Sequence, residues 1–170
     1  CRRILVSVLK RREDLRAYPR ELFVALANDG HPQAAWPMKT LLCLTDLQMA
    51  ALAWHMQAAE MRKAMASLGD RAVSLDGDRF LAAPRETLAA LDGFFGLGLE
   101  PAGLDAALAD GLLVRDIKTG EAGAGREARD AAAGQVEREL GCKLDEVIAW
   151  AARASGFDPN APVLPNPLSV

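Results

Sequence analysis

Residues 71–75, Arg-Ala-Val-Ser-Leu, are the one stretch of this sequence with the pattern of a β-strand. The run is short, partly β-branched and bracketed by turn residues, which is typical of a buried sheet strand. The sequence around it is helical in pattern, so the strand has no neighbour. Because a buried, unpaired backbone group costs about 1–3 kcal/mol, we expect few or no ladder partners for it within this chain. The remaining strands would come from further sequence, and since the chain begins at Cys1 we expect it to be the C-terminal part of a larger protein.

Most of the remaining sequence predicts helices. The strongest pattern runs from Thr40 to Leu68, where apolar residues recur at alternating steps of three and four. This stripe consists of Leu44, Leu47, Ala51, Trp54, Ala58, Met61, Met65 and Leu68. It predicts that Trp54, Met61 and Leu68 point inward and that Gln57, Glu60 and Lys63 point outward. Further helices are predicted over 3–10, 13–28, 85–95, 101–108 and 126–155, the last with a break at Gly141. We assign 1–157 to one domain and 158–170 to a proline-rich extended tail.

Composition excludes several classes of protein. The net charge of −3 argues against a non-specific nucleic-acid binder, which would usually be basic. No apolar run reaches the roughly 18 residues that a membrane-spanning helix needs. The three cysteines are far apart and form no Cys-x-x-Cys pair, so we expect reduced, buried thiols, neither a disulfide framework nor a metal site, and a cytoplasmic protein.

Candidate chemical groups are few. The sequence has no phosphate-loop, dinucleotide-binding, zinc-protease or nucleophile-elbow motif. Its two histidines, His31 and His55, have no partner pattern, and a structural or solvated role is the simpler interpretation. Asp76 and Asp78 follow the strand pattern directly, where open α/β sheets bind ligands, but capping of a turn is the favoured interpretation.

Two basic regions could bind an anion. The loop 115–125 places Arg115 and Lys118 among glycines whose backbone amides could approach a phosphate, with Arg126 just after it. The N-terminal region is basic in an otherwise acidic chain and could form an anion site near Ser7. In both places a solvated surface is the alternative interpretation.

One stretch carries a family resemblance. Residues 54–101 begin with Trp54 in a helical pattern, continue with the strand pattern and an acidic turn at 75–78, and end with Pro84-x-x-Thr87-Leu88 and the sequence Phe94-Phe95-Gly96-Leu97. This order resembles the C-terminal half of the sulfotransferase family. The tyrosine usual in the family's turn is absent, and Leu75-Asp76-Gly77-Asp78 stands in its place.

Two flanking segments agree with the resemblance. Residues 2–14 are similar to the family's segment that holds the 3′-phosphate of the sulfuryl donor PAPS, with Ser7 at the serine position. Residues 114–130 resemble a late loop in which bacterial members place a lysine and then an arginine, which would here be Lys118 and Arg126. The resemblance covers about 2–157. The arginine that precedes the serine and the 5′-phosphosulfate loop would both lie ahead of Cys1.

The resemblance implies a mostly α fragment of an α/β, P-loop-type three-layer fold, with one strand within this chain. It implies transfer of a sulfuryl group from PAPS, as co-substrate and without a metal, to a hydroxyl or amine of a small-molecule or glycan acceptor. Ser7, Lys118 and Arg126 would bind the donor and should converge on one pocket, although no catalytic base is evident and the fragment alone would be inactive. A non-enzymatic helical module, whose 44–68 stripe binds a partner or forms a homodimer, remains an alternative. Another P-loop nucleotide-binding protein, such as a kinase, is a third.

Overall fold

The protein is mostly helical in the computed structural model, which describes residues 1–10, 18–30, 36–110, 126–157 and 164–169. The helices are α1 (Arg2–Lys10), α2 (Tyr18–Asn28), α3 (Met38–Leu42), α4 (Asp46–Leu68), α5 (Gly77–Ala82), α6 (Pro84–Phe95), α7 (Pro101–Ala109) and α8 (Arg126–Ser155). A short 3₁₀ turn, Gly69–Arg71, follows α4. The prediction of a mostly helical chain is confirmed, and α8 continues through Gly141 without the predicted break.

Helix ends follow local chemistry. Helix α6 begins at Pro84, whose missing N–H costs nothing in a first turn, and ends where Gly96 adopts a φ of 63°. Asp76 starts α5 by accepting hydrogen bonds from the backbone N–H groups of Asp78 and Arg79. The predicted capping role of Asp76 is therefore confirmed.

The predicted helix 40–68 is split in two at Cys43-Leu44-Thr45. The Thr45 hydroxyl accepts a hydrogen bond from the Gln48 N–H, and the Gln48 side chain accepts one from the Thr45 N–H. This reciprocal capping box satisfies two backbone donors that a helix start leaves unpaired. The signature Thr-x-x-Gln at 45–48 was present in the sequence, but the stripe running across it concealed the start of α4.

The chain divides into two compact units. The first contains 1–64 and 132–163, and its core is formed by side chains of α1, α2, α4 and α8. Fully buried members of this core are Leu5, Phe23, Leu52, Met56 and Leu144. The core therefore combines apolar side chains of α1, α2 and α4 with apolar side chains of α8, which is distant from them in sequence.

The second unit contains 65–131 and 164–170. Within it α6 packs against α5 and α7. Thr87 is fully buried on α6, and its hydroxyl donates a hydrogen bond of 2.7 Å to the Ala83 carbonyl. Arg85 of α6 forms an exposed ion pair of 2.7 Å with Asp105 of α7.

The prediction of one strand within this chain is wrong, because none of the described residues belongs to a β-strand. Residues 72–76 follow the 3₁₀ turn without forming a helix, and Ser74 makes an isolated parallel bridge to Pro167. Ser74 donates to the Asn166 carbonyl and accepts from the Leu168 N–H, both at 2.8 Å. A single bridge satisfies one residue and cannot extend into a ladder, which agrees with the expectation of few partners.

The stripe on α4 is only half correct. Leu44, Ala51 and Ala58 are buried as predicted, whereas Met61 is 52% exposed and Leu68 is 42% exposed. Trp54 is half-buried, and so is Gln57, which was expected to face outward. The prediction of inward-facing Met61 and Leu68 is wrong, since both side chains are largely exposed although Met65, between them on the same stripe, is buried.

The cysteines are unpaired, as expected, but they are not buried thiols. Cys43 and Cys142 are exposed and Cys1 is half-buried. Every helix in the described ranges is too short or too polar to cross a membrane.

Candidate functional site

Of the three predicted donor-binding residues, the structure describes the side chain of Ser7 alone. Ser7 lies on an exposed face of α1. Lys118 lies outside the described residues. Arg126 is the first residue of α8, but its side chain also lies outside what the structure describes. The predicted convergence of the three residues therefore stays a prediction.

Ser7 lines a solvent-open cavity of about 180 Å³ in the first unit, where Ile4 and Tyr18 are also exposed. Three helices supply its walls: α1 contributes Ile4, Ser7 and Val8; α2 contributes Tyr18, Pro19 and Leu22; and α4 contributes Ala50, Ala53, Trp54 and Gln57. The positions from α1 and α4 repeat at three and four residues, so each of these helices presents a single face. The described lining carries no charged side chain, which makes the interior itself unsuited to a phosphate.

Arg2, five residues before Ser7 on α1, forms ion pairs with α8. Its Nε donates to the Glu137 carboxylate at 2.7 Å, and its guanidinium also pairs with Asp145. The hydrogen bond from Arg2 lowers the pKa of Glu137. Because both carboxylates hold the guanidinium against α8, Arg2 is not available to bind an anion beside Ser7.

His55 has a structural environment, in agreement with the interpretation from the sequence. It is 2% exposed, and its Nδ1 lies 2.7 Å from the Ser155 hydroxyl. That hydroxyl donates to the Ala151 carbonyl at 2.8 Å, so it accepts from a protonated Nδ1. Burial lowers the pKa of His55 to about 4, so the imidazole is neutral at physiological pH.

Aromatic contacts complete this buried cluster. Phe157 stacks on the His55 ring with centroids 4.5 Å apart and meets Trp54 edge-to-face at 5.7 Å. The Arg62 guanidinium also lies over the Phe157 ring, 4.8 Å from its centroid. A histidine enclosed in this way ties α4 to the end of α8 and is not placed to move a proton to a ligand.

The acidic turn after the extended segment also has a structural role. One carboxylate oxygen of Asp76 accepts from the Asp78 N–H at 2.7 Å and from the Arg79 N–H at 3.2 Å. This use in capping leaves little reason to assign Asp76 to a ligand site. Within the described ranges, no group of three or more His, Cys, Asp or Glu side chains is arranged to hold a metal ion.

No family model, no curated protein and no solved structure matches this chain.

The interpretation of the sequence singled out Ser7 but missed the other polar groups of the cavity, Tyr18 and Gln57. A usable signal was present on α4. Ala50, Ala53, Trp54 and Gln57 recur at steps of three and four and therefore share one face of the helix. Tyr18 had no such signal, because its place at the cavity depends on how α2 packs.

Proposed function

We propose that this chain is the C-terminal part of a PAPS-dependent sulfotransferase. In the reaction, an acceptor hydroxyl or amine attacks the sulfur of PAPS in line, the bond from sulfur to the 5′-phosphate oxygen breaks, and adenosine 3′,5′-bisphosphate leaves. The complete activity would belong to a longer protein, since the phosphosulfate loop of the family is not among the motifs of these residues. Acceptors would be small molecules or glycans.

The observation that carries the proposal is the order of features over 54–97. A helix bearing Trp54, an extended segment, an acidic cap at Asp76 and a helix from Pro84 to Phe95 follow one another. This is the order that the family resemblance implies. The agreement concerns the two helices and the acidic cap, whereas residues 72–76 are extended but form no strand.

Ser7 suits the role of a donor contact. Its hydroxyl is exposed and makes no hydrogen bond to any described side chain, so it is available to a ligand. A 3′-phosphate held by Ser7 would lie outside the uncharged cavity, and Arg126 would supply a planar, two-pronged donor to it. Lys118 would add a second positive charge. These cations would also stabilise the negative charge on the departing nucleotide.

Calorimetry on the full-length protein tests the assignment. Adenosine 3′,5′-bisphosphate should bind more tightly than adenosine 5′-phosphate, because only the former has the 3′-phosphate. Arg126→Ala should weaken binding of the bisphosphate by about 1.5–3 kcal/mol, the range for a charged hydrogen bond, and should leave the monophosphate unchanged. Arg153→Ala, an exposed arginine at the other end of α8, is the matched control. Equal affinity for the two nucleotides in the unmodified protein would overturn the donor site.

A helical interaction module is the second candidate, and the exposure of Met61 and Leu68 favours it. Two apolar residues of one stripe that face solvent are available to a partner or a second copy of the chain. Sedimentation of the protein and of Met61→Glu distinguishes the candidates. A dimer that the substitution dissociates supports the module, whereas monomers in both samples contradict a homodimer through this face.

A further inference from the structure

Residues 164–169, the docked segment, make three hydrogen bonds to one residue of the second unit, Ser74. The Ser74 N–H donates to the Asn166 carbonyl, and the Ser74 carbonyl accepts from the Leu168 N–H, both at 2.8 Å. The Ser74 hydroxyl donates to the Pro165 carbonyl, also at 2.8 Å. The backbone N–H, the backbone carbonyl and the side chain of Ser74 are thus all directed at the docked segment.

Leu168 is the apolar anchor of the docked segment. It is 7% exposed, whereas Pro165, Asn166 and Pro167 are exposed. The two prolines have no N–H to donate, and the pairing with Ser74 needs none from them, because Leu168 supplies the one backbone donor. The docked segment therefore presents a short motif, Pro-Xaa-Pro-Leu, in which one side chain and three backbone groups make the described contacts.

The site around Ser74 is shaped by contacts within its own stretch of sequence. Ala72 has φ −132° and ψ 133°, and Asp76 has φ −81° and ψ 119°, so both flanks of Ser74 are extended. The Ala72 N–H donates to the Gly69 carbonyl at 3.2 Å, and the Asp76 carbonyl accepts from the Phe80 N–H at 3.0 Å. These contacts do not involve the docked segment, so the site exists without it.

The same flanks limit the site to one residue. In an extended chain, residues two apart direct their groups to the same side, so pairing beyond Ser74 would have to continue at Ala72 or Asp76. The Ala72 N–H and the Asp76 carbonyl are already in use. The site therefore accepts a short motif and not a long strand.

We propose that residues 72–76 form a docking site for a Pro-Xaa-Pro-Leu segment of another protein chain, and that the docked segment fills this site within its own molecule. The occupant is specified by the segment already seated there. A short motif bound mainly through its backbone can be supplied by any chain that carries it. An incoming segment has to displace the docked segment, which therefore regulates access. The site does not depend on the sulfotransferase proposal, since Ser7, Lys118 and Arg126 take no part in it.

A fluorescent peptide with the sequence of residues 164–170 tests the site in the full-length protein by fluorescence anisotropy. In the protein, Leu168→Asp places a charge at the buried anchor and should release the docked segment. We expect the peptide to bind this variant with a dissociation constant on the order of 0.1 mM, since the contacts are few. In the unmodified protein the docked segment competes at an effective concentration on the order of 1 mM, so the peptide should bind about tenfold more weakly.

Three comparisons locate the peptide. Ser169→Asp puts the same charge on the next, exposed residue and should bind the peptide as weakly as the unmodified protein does. Ser74→Ala, made in the Leu168→Asp protein, removes the hydroxyl donor and should weaken the peptide about three- to tenfold. A peptide with N-methyl-leucine at the position of Leu168 keeps the side chain but lacks the N–H, and should bind at least about tenfold less tightly.

Tighter binding of the peptide to Leu168→Asp than to Ser169→Asp, lost on N-methylation, supports the docking site. Equal affinity for these two variants, equal affinity of the methylated and unmethylated peptides, or no binding at millimolar concentration would overturn it. If Leu168→Asp does not fold, the comparison of the two peptides on the unmodified protein decides alone.

Discussion

The two halves of helix α4 carry the same apolar repeat but have opposite environments. Over 46–58, apolar residues on several sides of the helix are buried, including Met49, Leu52 and Met56. Over 59–68, Met61 and Leu68 are exposed and Met65 alone is buried. A repeat of three and four thus predicts a helix with an apolar stripe. It does not predict how many neighbours will cover that stripe.

The largest expected effect contrasts two methionines on this helix. Met56 is 1% exposed and Met61 is 52% exposed. Met56→Ala should lower the free energy of unfolding by about 2–5 kcal/mol, because it leaves a cavity in the core. Met61→Ala should change it by less than about 0.5 kcal/mol. Urea unfolding of both variants measures the difference, and equal losses would show that the exposed half is covered in solution.

Acid should destabilise the buried half through His55. Burial lowers its pKa in the folded protein to about 4, from about 6.5 for a histidine in water. The unfolded chain therefore takes up a proton first as the pH falls, and stability is lost between about pH 6.5 and 4. The full loss approaches about 3 kcal/mol for the whole shift. Below pH 4 this contribution is constant.

Unfolding measured across this pH range tests the effect of His55. His55→Asn should remove the part of the pH dependence that His55 causes. His31→Asn, which removes the other histidine of the chain, should retain it. Identical pH profiles for the two variants would contradict a depressed pKa at His55.

The start of the buried half depends on a local cap. Thr45→Ala removes the hydroxyl that accepts from the Gln48 N–H and should cost about 0.5–2 kcal/mol. Thr45→Asn, which keeps a capping oxygen, should recover most of this loss. Thermal unfolding compares the two variants, and equal melting temperatures would show that the cap does not contribute.

The smallest effect is expected in the exposed half. Lys63 pairs with Glu60 at 2.6 Å across one turn, with both side chains largely in solvent. Lys63→Ala should lower the free energy of unfolding by about 0.2–0.5 kcal/mol, and less at high salt. If Lys63→Ala lowered the free energy of unfolding as much as Met56→Ala, the exposed half of α4 would have to make contacts that the described structure does not contain.

Helix termini could be predicted wherever the cause was local. Pro84 and Gly96 mark the bounds of α6, and Asp76 was correctly interpreted as a cap. The start of α4 at Asp46 was also encoded locally, in Thr45 and Gln48, but the longer apolar repeat was given more weight. A capping box inside an apolar repeat thus ends one helix and starts the next, although the repeat continues across it.

The candidate site was less predictable, since its parts are distant in sequence. Ser7 was identified by resemblance, but its place beside Tyr18 and Trp54 follows from the packing of α1, α2 and α4. The partner of His55 is Ser155, a hundred residues away, and no spacing rule connects them. Lys118 and the Arg126 side chain lie outside the described residues, so their predicted meeting with Ser7 is left to the binding experiment.

Sequence alone determined the helical character of this protein and the ends set by Pro84, Gly96 and Asp76, because these depend on contacts within a few residues. Tertiary structure decided that Met56 is buried while Met61 is exposed, and that Ser74 pairs once with Pro167 instead of joining a sheet. It also decided that Arg2 is held by Glu137 and Asp145. The physical reason is that burial and long-range pairing depend on which surfaces meet, and a repeat along one helix carries no information about its neighbours.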